Sequence, residues 1–507
     1  MSFSTKSLII AFSLATSSVS LAATIENSAS NETVSQGSLA NNAASTTFPS
    51  TQAWLNHVTT GLAPYWMDEK AYGEPVGNFP TFRCNDGRKL NTANVCPELD
   101  RGWITPYFGR EYTRMKSRQT YAYGVLFHLT GDTQALELAK QGAYYLINEL
   151  QDKAHGGFIS FTQSKQGGLN CTQRTSQDQA YALVGLAMYY YLTGDPLVEK
   201  VLIDQQKFIF DNYRLNDEVG LAWVLQDGDE QSAKQHELVA QLDQINGYML
   251  LVAPLLPEPH RTKWLSDLTW LTNTLVQHYH SDKEQRFYGA IHHKAVMQPN
   301  AKHNDFGHTI KAYWMTYLVA EQINNADWKQ FAKQGMRTTL ERAQYQQQFE
   351  PVSAFFSPEL QSEWANQSIP AWQSRPYSNG SSSWEWAELD QSAMTLAILD
   401  NKVGNVLPYT TRTFMDAWVD HQYGGVGLDP KSTKAFHWGN GYHQFEHALI
   451  GTFTSGALNL QPVTLYYANA SKVQSDFTPY YFQGKVDNVE RTAQGEIQAV
   501  TYSNITP

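Results

Sequence analysis

The chain has 507 residues, 42% hydrophobic and 13% aromatic, with a formal net charge of −11. That much apolar side chain excludes a disordered chain and provides for a large core. The acidic balance, with Lys and Arg scattered, argues against a nucleic-acid partner.

The first residues read as a targeting segment. Lys6 precedes the apolar run Leu8–Leu14, and Ser20-Leu21-Ala22 is a small-x-small cleavage pattern, so residues 1–22 are expected to be a secretory signal peptide. The run is too short to span a bilayer, and no later stretch is long and apolar enough to do so. Export to a bacterial periplasm or beyond is therefore expected. Residues 23–50 are rich in Ser, Thr, Asn and Ala and are expected to be disordered. Cys84 and Cys96 then bracket the polar loop Asn85–Val95. In an oxidising compartment a disulfide there would staple a loop bordering the site. Cys171 is left over as a buried thiol, or else displaces either partner.

An internal repeat runs through the rest. An aromatic, an Asp or Asn, a short polar stretch and a Gly with an apolar neighbour recur at Tyr65–Phe79, Asn148–Phe158, Asn212–Trp223, His278–Ala290, weakly at Phe349–Phe356, and at Val419–Val426. The period is roughly 65–70 residues, long enough for two helices and two connections. Within it, Leu136, Ala139, Ala143, Leu146, Ile147 and Leu150 form a helical stripe. Leu129-Thr130-Gly131-Asp132 returns as Leu192-Thr193-Gly194-Asp195. In each, Gly can end one helix in the left-handed conformation and Asp can cap the next. Six helical hairpins closed into a ring are thus expected over residues 51–460. After Leu460 the segments Val463–Ala468, Pro479–Val486 and Glu496–Tyr502 are β-branched and aromatic, so 461–507 reads as a β-rich C-terminal appendage.

Two histidines stand at the starts of helix-like runs, His308 in Asp305-Phe306-Gly307-His308 and His443 in Gly441-Tyr442-His443. In a ring of hairpins, connections of one class share a rim. Two imidazoles aimed into the ring mouth would make an acid–base pair working near neutral pH. Other readings compete for the same residues. His443-Gln-Phe-Glu446-His447 fits an inverted zinc-protease pattern. Asp243, Glu385, Glu388 and Asp390 are candidate carboxylates for a glycosidase or polysaccharide lyase. A non-catalytic glycan-binding barrel is a further alternative.

The chain resembles the N-acylglucosamine 2-epimerase family, with its cellobiose 2-epimerases and mannose isomerases. The resemblance rests on Arg118 in Arg-Gln-Thr-Tyr121-Ala-Tyr-Gly, the Leu-Thr-Gly-Asp joints, Gly307-His308, Trp384-Glu-Trp386-Ala-Glu388, and Tyr442-His443 with Glu446. It implies an all-α (α/α)6 barrel and a sugar epimerase or isomerase. By it, His308 and His443 exchange the proton at C2 and Arg118 contacts a substrate oxygen. Tyr121, Asn246, Trp384, Trp386, Glu388 and Glu446 become expected substrate contacts, with the tryptophans as a stacking wall. No metal or other cofactor is expected, and the partner is a small sugar or oligosaccharide. Three places depart from the family pattern: Lys311 stands where a Glu is frequent, Tyr248 and Gln179 where a His is frequent.

Overall fold

The computed structural model of the chain describes residues 47–163, 174–216, 219–225, 235–297, 303–342, 344–347, 350–353, 382–403, 407–430, 432–469, 471–472, 477–491 and 495–507. The signal pattern, Cys171 and half of the fifth repeat lie outside them. Twelve helices build the barrel among the described residues. The outer six are α1 (51–66), α3 (133–150), α5 (Pro196–Tyr213), α7 (260–279), α9 (Ala326–Arg342) and α11 (407–418). The inner six are α2 (Thr113–Thr130), α4 (Ser176–Thr193), α6 (238–255), α8 (Phe306–Gln322), α10 (Ser383–Asp400) and α12 (Tyr442–Leu458).

The inner helices close a ring. α2 packs on α4 and on α12, α4 on α6, α8 on α10, and α10 on α12. Gln322 Nε2 donates to Leu250 O at 2.7 Å and joins α8 to α6. Outer helices lie over the seams, α3 against α2 and α4, α9 against α8 and α10, and α1 against α12. This is the expected (α/α)6 barrel. Inner helices are covered on every side, and every residue of α12 from Tyr442 to Gly456 is buried, as a helix inside a double layer requires. Among the described residues no helix is long and apolar enough to cross a membrane.

The joints formed as the sequence indicated. Gly131 and Gly194 adopt φ of +73° and +65°, the left-handed region that a Cβ disfavours. Asp132 Oδ1 accepts from Gln134 N at 2.8 Å, and Asp195 Oδ1 from Leu197 N at 2.9 Å, each satisfying an open N–H of the next helix.

The longer repeat is the outer-to-inner connection, and it is a small β-hairpin. α3 and α11 end on wide i→i+5 turns, Leu146–Leu150 and Phe414–Trp418. The chain then reverses identically in both places: Gly156 N donates to Asp152 O at 2.8 Å and Gly424 N to Asp420 O at 2.7 Å. Further copies pair Arg214 with Leu221, and His280–Ser281 with Arg286–Phe287. The following inner helix clamps the returning strand. Gln179 holds Phe158 through both its amide N–H and C=O, and Gln241 does the same for Leu221. Gln179 is thus a scaffold clamp, which accounts for that departure from the family pattern.

The first connection carries the insertion. Cys84 and Cys96 are joined, with Cα atoms 5.9 Å apart. They pack with Phe82, Leu99, Ile104, Tyr112 and Phe436 in a small satellite core. Its last strand, Arg110–Tyr112, pairs antiparallel with Phe161–Gln163.

At the C-terminus, Val463–Tyr467, Gln483–Arg491 and Gln498–Thr506 form one antiparallel sheet, the last strand in the middle. The expected strand at Pro479–Val486 begins later, at Gln483. Residues 479–482 form a turn instead, with Phe482 N bonded to Pro479 O at 3.0 Å and Tyr480 at φ +58°. That turn drives two tyrosines into the barrel. Tyr480 Oη donates to Glu446 at 2.8 Å and Tyr481 Oη to Asn246 O at 3.0 Å. They plug the axis, so the barrel is a blind cup.

Candidate active site

The connections converge on one rim, where the inner helices begin, and open into a cleft of about 630 Å³. Its walls are the N-terminal turns of the inner helices, the insertion through Tyr107 and Arg110, and the 419–441 segment through His437 and Trp438. Both predicted histidines line it, as do Arg118 and Trp384.

His308 sits in the first turn of α8, whose cap is Asp305. Asp305 Oδ1 accepts from His308 N at 2.8 Å, and Asp305 Oδ2 stands 2.8 Å from Nδ1 of the same imidazole. Burial disfavours a charged His308, but the Asp305 carboxylate outweighs it and raises the pKa above the ordinary value. His443 is treated oppositely. Burial holds its pKa down to about 4; Glu388 opposes this, and the Lys311 and Arg118 charges reinforce it. Trp384 touches both rings, its centroid 4.8 Å from His308 and 5.9 Å from His443. Both imidazoles therefore share one indole as a neighbour and lie no farther apart than those two contacts combined.

A charged layer lies beneath. Glu388 is fully buried, with Oε1 3.1 Å from His443 Nδ1 and 3.1 Å from Lys311 Nζ. Asn246, with its amide turned to suit its neighbours, accepts from Lys311 Nζ at 3.1 Å and donates to Asp243 Oδ1 at 3.0 Å. Burial and the Glu388 charge push Glu446 up to about 7. Glu388, His443 and Glu446 offer ligand atoms within 4.8 Å of one another, a donor set small enough for a metal ion. The Lys311 ammonium already supplies a cation there. The second histidine of the zinc pattern is committed elsewhere: His447 Nε2 is 2.9 Å from Asp390 Oδ2, both groups fully buried.

Arg118 lies 3.8 Å over the Tyr181 ring and donates to Trp438 O at 2.5 Å. Carboxylates at the cleft are engaged. Asp243 accepts from Tyr181 at 3.0 Å and Gln177 at 2.8 Å. Asp178 accepts from Ser160 at 2.9 Å and pairs with Arg114 at 3.4 Å. Two expected substrate contacts face away. Trp386 is wholly buried, 5.0 Å from the Trp418 ring, and donates to Thr410 O. Tyr121 is buried on the axis and shares a hydrogen bond with Tyr480 at 2.7 Å. Asn246, Glu388 and Glu446 form the floor beneath the cleft wall. Glu385 closes a capping box with Ser382, and burial with the Asp305 charge raises it to about 7.

Sequence reasoning missed Asp305, Tyr181 and the Lys311–Glu388 pair as parts of the site. Asp305 was findable, since an Asp three residues before a helix-start His both caps the helix and reaches the ring. Tyr181 and Lys311 carry no comparable local signal.

The sequence model of the N-acylglucosamine 2-epimerase (GlcNAc 2-epimerase) family matches residues 101–362. A comparison with curated proteins finds no match. Among solved structures, cellobiose 2-epimerase from Spirochaeta thermophila superposes with a TM-score of 0.60 at 14% identity, covering 81% of this chain and 97% of that one. A sugar epimerase from a ruminal bacterium gives 0.58 at 14%, over 81% and 98%. A D-mannose isomerase gives 0.58 at 11%, over 80% and 96%. These likenesses agree in fold with the ring of six hairpins, and the family match spans more than half of the chain. By that match the chain belongs to the N-acylglucosamine 2-epimerase family.

Proposed function

We propose that this carbohydrate epimerase or isomerase works on the open-chain form of a reducing sugar, by proton transfer at C2 through an enediolate. The observation that carries the reading is the pair of cleft-lining imidazoles that both contact Trp384, with pKa values pushed in opposite directions. Environments that split two titratable groups assign their roles. His443, held down to about 4, is assigned the base; His308, whose pKa the Asp305 carboxylate raises, is assigned the acid. Nδ1 of each ring faces a carboxylate, which leaves Nε2 for the sugar.

His443 removes the proton on C2 and the electron pair moves through C1 onto the carbonyl oxygen. Arg118 holds that developing oxyanion without giving up a proton. His308 delivers a proton to the opposite face of C2, re-forming the C1 carbonyl of the epimer; delivery to C1 instead, with the O2 proton passing to O1, gives the ketose. Trp384 offers an indole face to the sugar C–H groups. The engaged carboxylates disfavour a glycosidase, which needs a free acid and base facing each other across the cleft. The same proposal includes export, on the strength of Lys6, the short apolar run and Ser20-Leu21-Ala22.

The test is incubation with a panel of reducing sugars in D2O, followed by NMR at C2. Deuterium at C2 is expected, and its rate falls about 10²–10⁴-fold in His308→Asn or His443→Asn if each transfers the proton. Cleaved glycosidic bonds with no C2 label would overturn the reading.

A further inference from the structure

We infer that the substrate is an anionic saccharide, one whose carboxylate is gripped by Arg110 at the rim of the cleft. The inference deepens the C2-exchange reading and rests on it. The chain is acidic overall, with a net charge of −11. Yet Arg110, Arg114 and Arg118, four residues apart, all line the cleft, because Arg110–Tyr112 runs directly into α2.

Each arginine has a different company. Arg114 is paired with Asp178 at 3.4 Å and donates to His437 O at 3.1 Å. Arg118 is fixed by Trp438 O and the Tyr181 ring. Arg110 lies against two ring faces, 4.7 Å from the Phe161 centroid and 5.7 Å from that of Tyr107. It has no carboxylate partner among the described residues. Its neighbour Glu111 turns to the other face of the strand, accepting from Thr81 N at 2.8 Å and pairing with Lys116 at 3.2 Å. The carboxylates lining the cleft, Asp178, Asp243 and Asp305, are each engaged by Arg114, by Tyr181 and Gln177, and by His308.

The neighbourhood is positive by arrangement. His437, stacked on Tyr107 at 4.0 Å, is held down to about 3 by burial and then by the Arg114 and Arg110 charges. A guanidinium resting against two rings, on a strand registered opposite Gln163, is a preorganised fork. The planar group it matches best is a carboxylate, taken bidentately. The cleft volume also suits more than a monosaccharide. A uronic acid residue linked to a reducing sugar places the charge at the rim and the reacting carbon by the histidines.

The experiment uses the full chain and pairs of reducing disaccharides differing in one group. Cellobiose is compared with its uronic acid counterpart, glucuronosyl-β-1,4-glucose, and with 6′-sulfated and 6′-phosphorylated cellobiose. Affinity is measured by calorimetry at low and high salt, and C2 deuterium in the same samples. The expected result is about tenfold tighter binding of the uronic acid over cellobiose, an advantage that shrinks with salt. Arg110→Gln abolishes the ratio, and Arg110→Lys, which keeps charge but not the fork, restores only part of it. Equal affinity for cellobiose and the uronic acid overturns the inference, as does a preference for the sulfated or phosphorylated member, or a ratio that survives Arg110→Gln. A charge preference without C2 label overturns the proton-exchange reading and leaves the anion site standing; C2 label with equal affinities does the reverse.

Discussion

Replacing Lys311 with Met removes the ammonium that stands where the family usually has a carboxylate. In the wild type, Lys311 Nζ and His443 Nδ1 each lie 3.1 Å from Glu388 Oε1. The two nitrogens are then no farther apart than those contacts laid end to end, about 6 Å. At an effective dielectric near 20, two unit charges at that distance repel by about 2.5–3 kcal/mol, roughly two pKa units. Taking Lys311 away also frees Glu388 to stabilise an imidazolium. On the proposed mechanism His443 must be neutral to act as base, so kcat/KM is expected to rise with pH through its pKa, near 4 in the wild type. Lys311→Met moves that acid limb up by about two units, toward neutrality. The assay is the pH profile of C2 deuterium exchange, with an NMR titration of the His443 ring as a readout independent of turnover. Losing one partner of a buried pair also costs about 3–5 kcal/mol. Lys311→Arg keeps the charge and is expected to retain the wild-type limb. A folded Lys311→Met protein whose acid limb and ring titration stay near 4 would refute the reasoning.

Asp305→Asn keeps a helix cap but removes the charge that raises His308. The acid must be protonated, so the basic limb of kcat/KM shifts to lower pH; an unmoved limb assigns the acid elsewhere. Replacing Cys84 and Cys96 with Ser opens a loop of sequence separation 12 and costs about 2–4 kcal/mol, read as a lower Tm. Because the loop belongs to the insertion that walls the cleft, KM rises more than kcat. His128 is fully buried and held down to about 4 by burial. Its unfolded form takes up a proton near 6.5, so this stability is present above that pH and is lost as pH falls from about 6.5 to about 4. His128→Gln should flatten that slope in urea titrations. Mass spectrometry of the protein from its native host should find a mature start near Ala23; an intact Met1 rules export by cleavage out.

The repeat was legible because it resides in the backbone. A reversal that needs two left-handed glycines, at Gly156–Gly157 and Gly424–Gly425, leaves the same residues wherever it recurs. Helix joints were legible for the same reason. Which side of an inner helix faces the cleft was not. Such a helix is buried all round, so polarity no longer marks its faces. Trp384 and Trp386 look alike in sequence, yet one meets both histidines and the other packs on Trp418. Lys311 read as a departure for want of its partner. Glu388 lies on a different helix far along the chain, and only closure of the ring brings the two together. The late start of the second tail strand escaped notice because Tyr480 and Tyr481 look like strand residues by composition, while tertiary contacts inside the barrel hold them in a turn.

The seam between α1 and α12 has a consequence for how the molecule comes into being. The seam joins α1, the first of the described barrel helices, to α12, the last of them, so elements far apart in the chain close the ring. An open solenoid can fray from either end or lose a terminal unit and keep the rest; a clasped ring has no terminal unit to lose. While a ribosome is still making residues up to 440, α1 waits with its inward face unmatched and His308 has no opposing imidazole. On the proposed mechanism, proton exchange then waits for the clasp to shut, and a chain cut short before Tyr442, which lacks His443, is expected to show no C2 exchange.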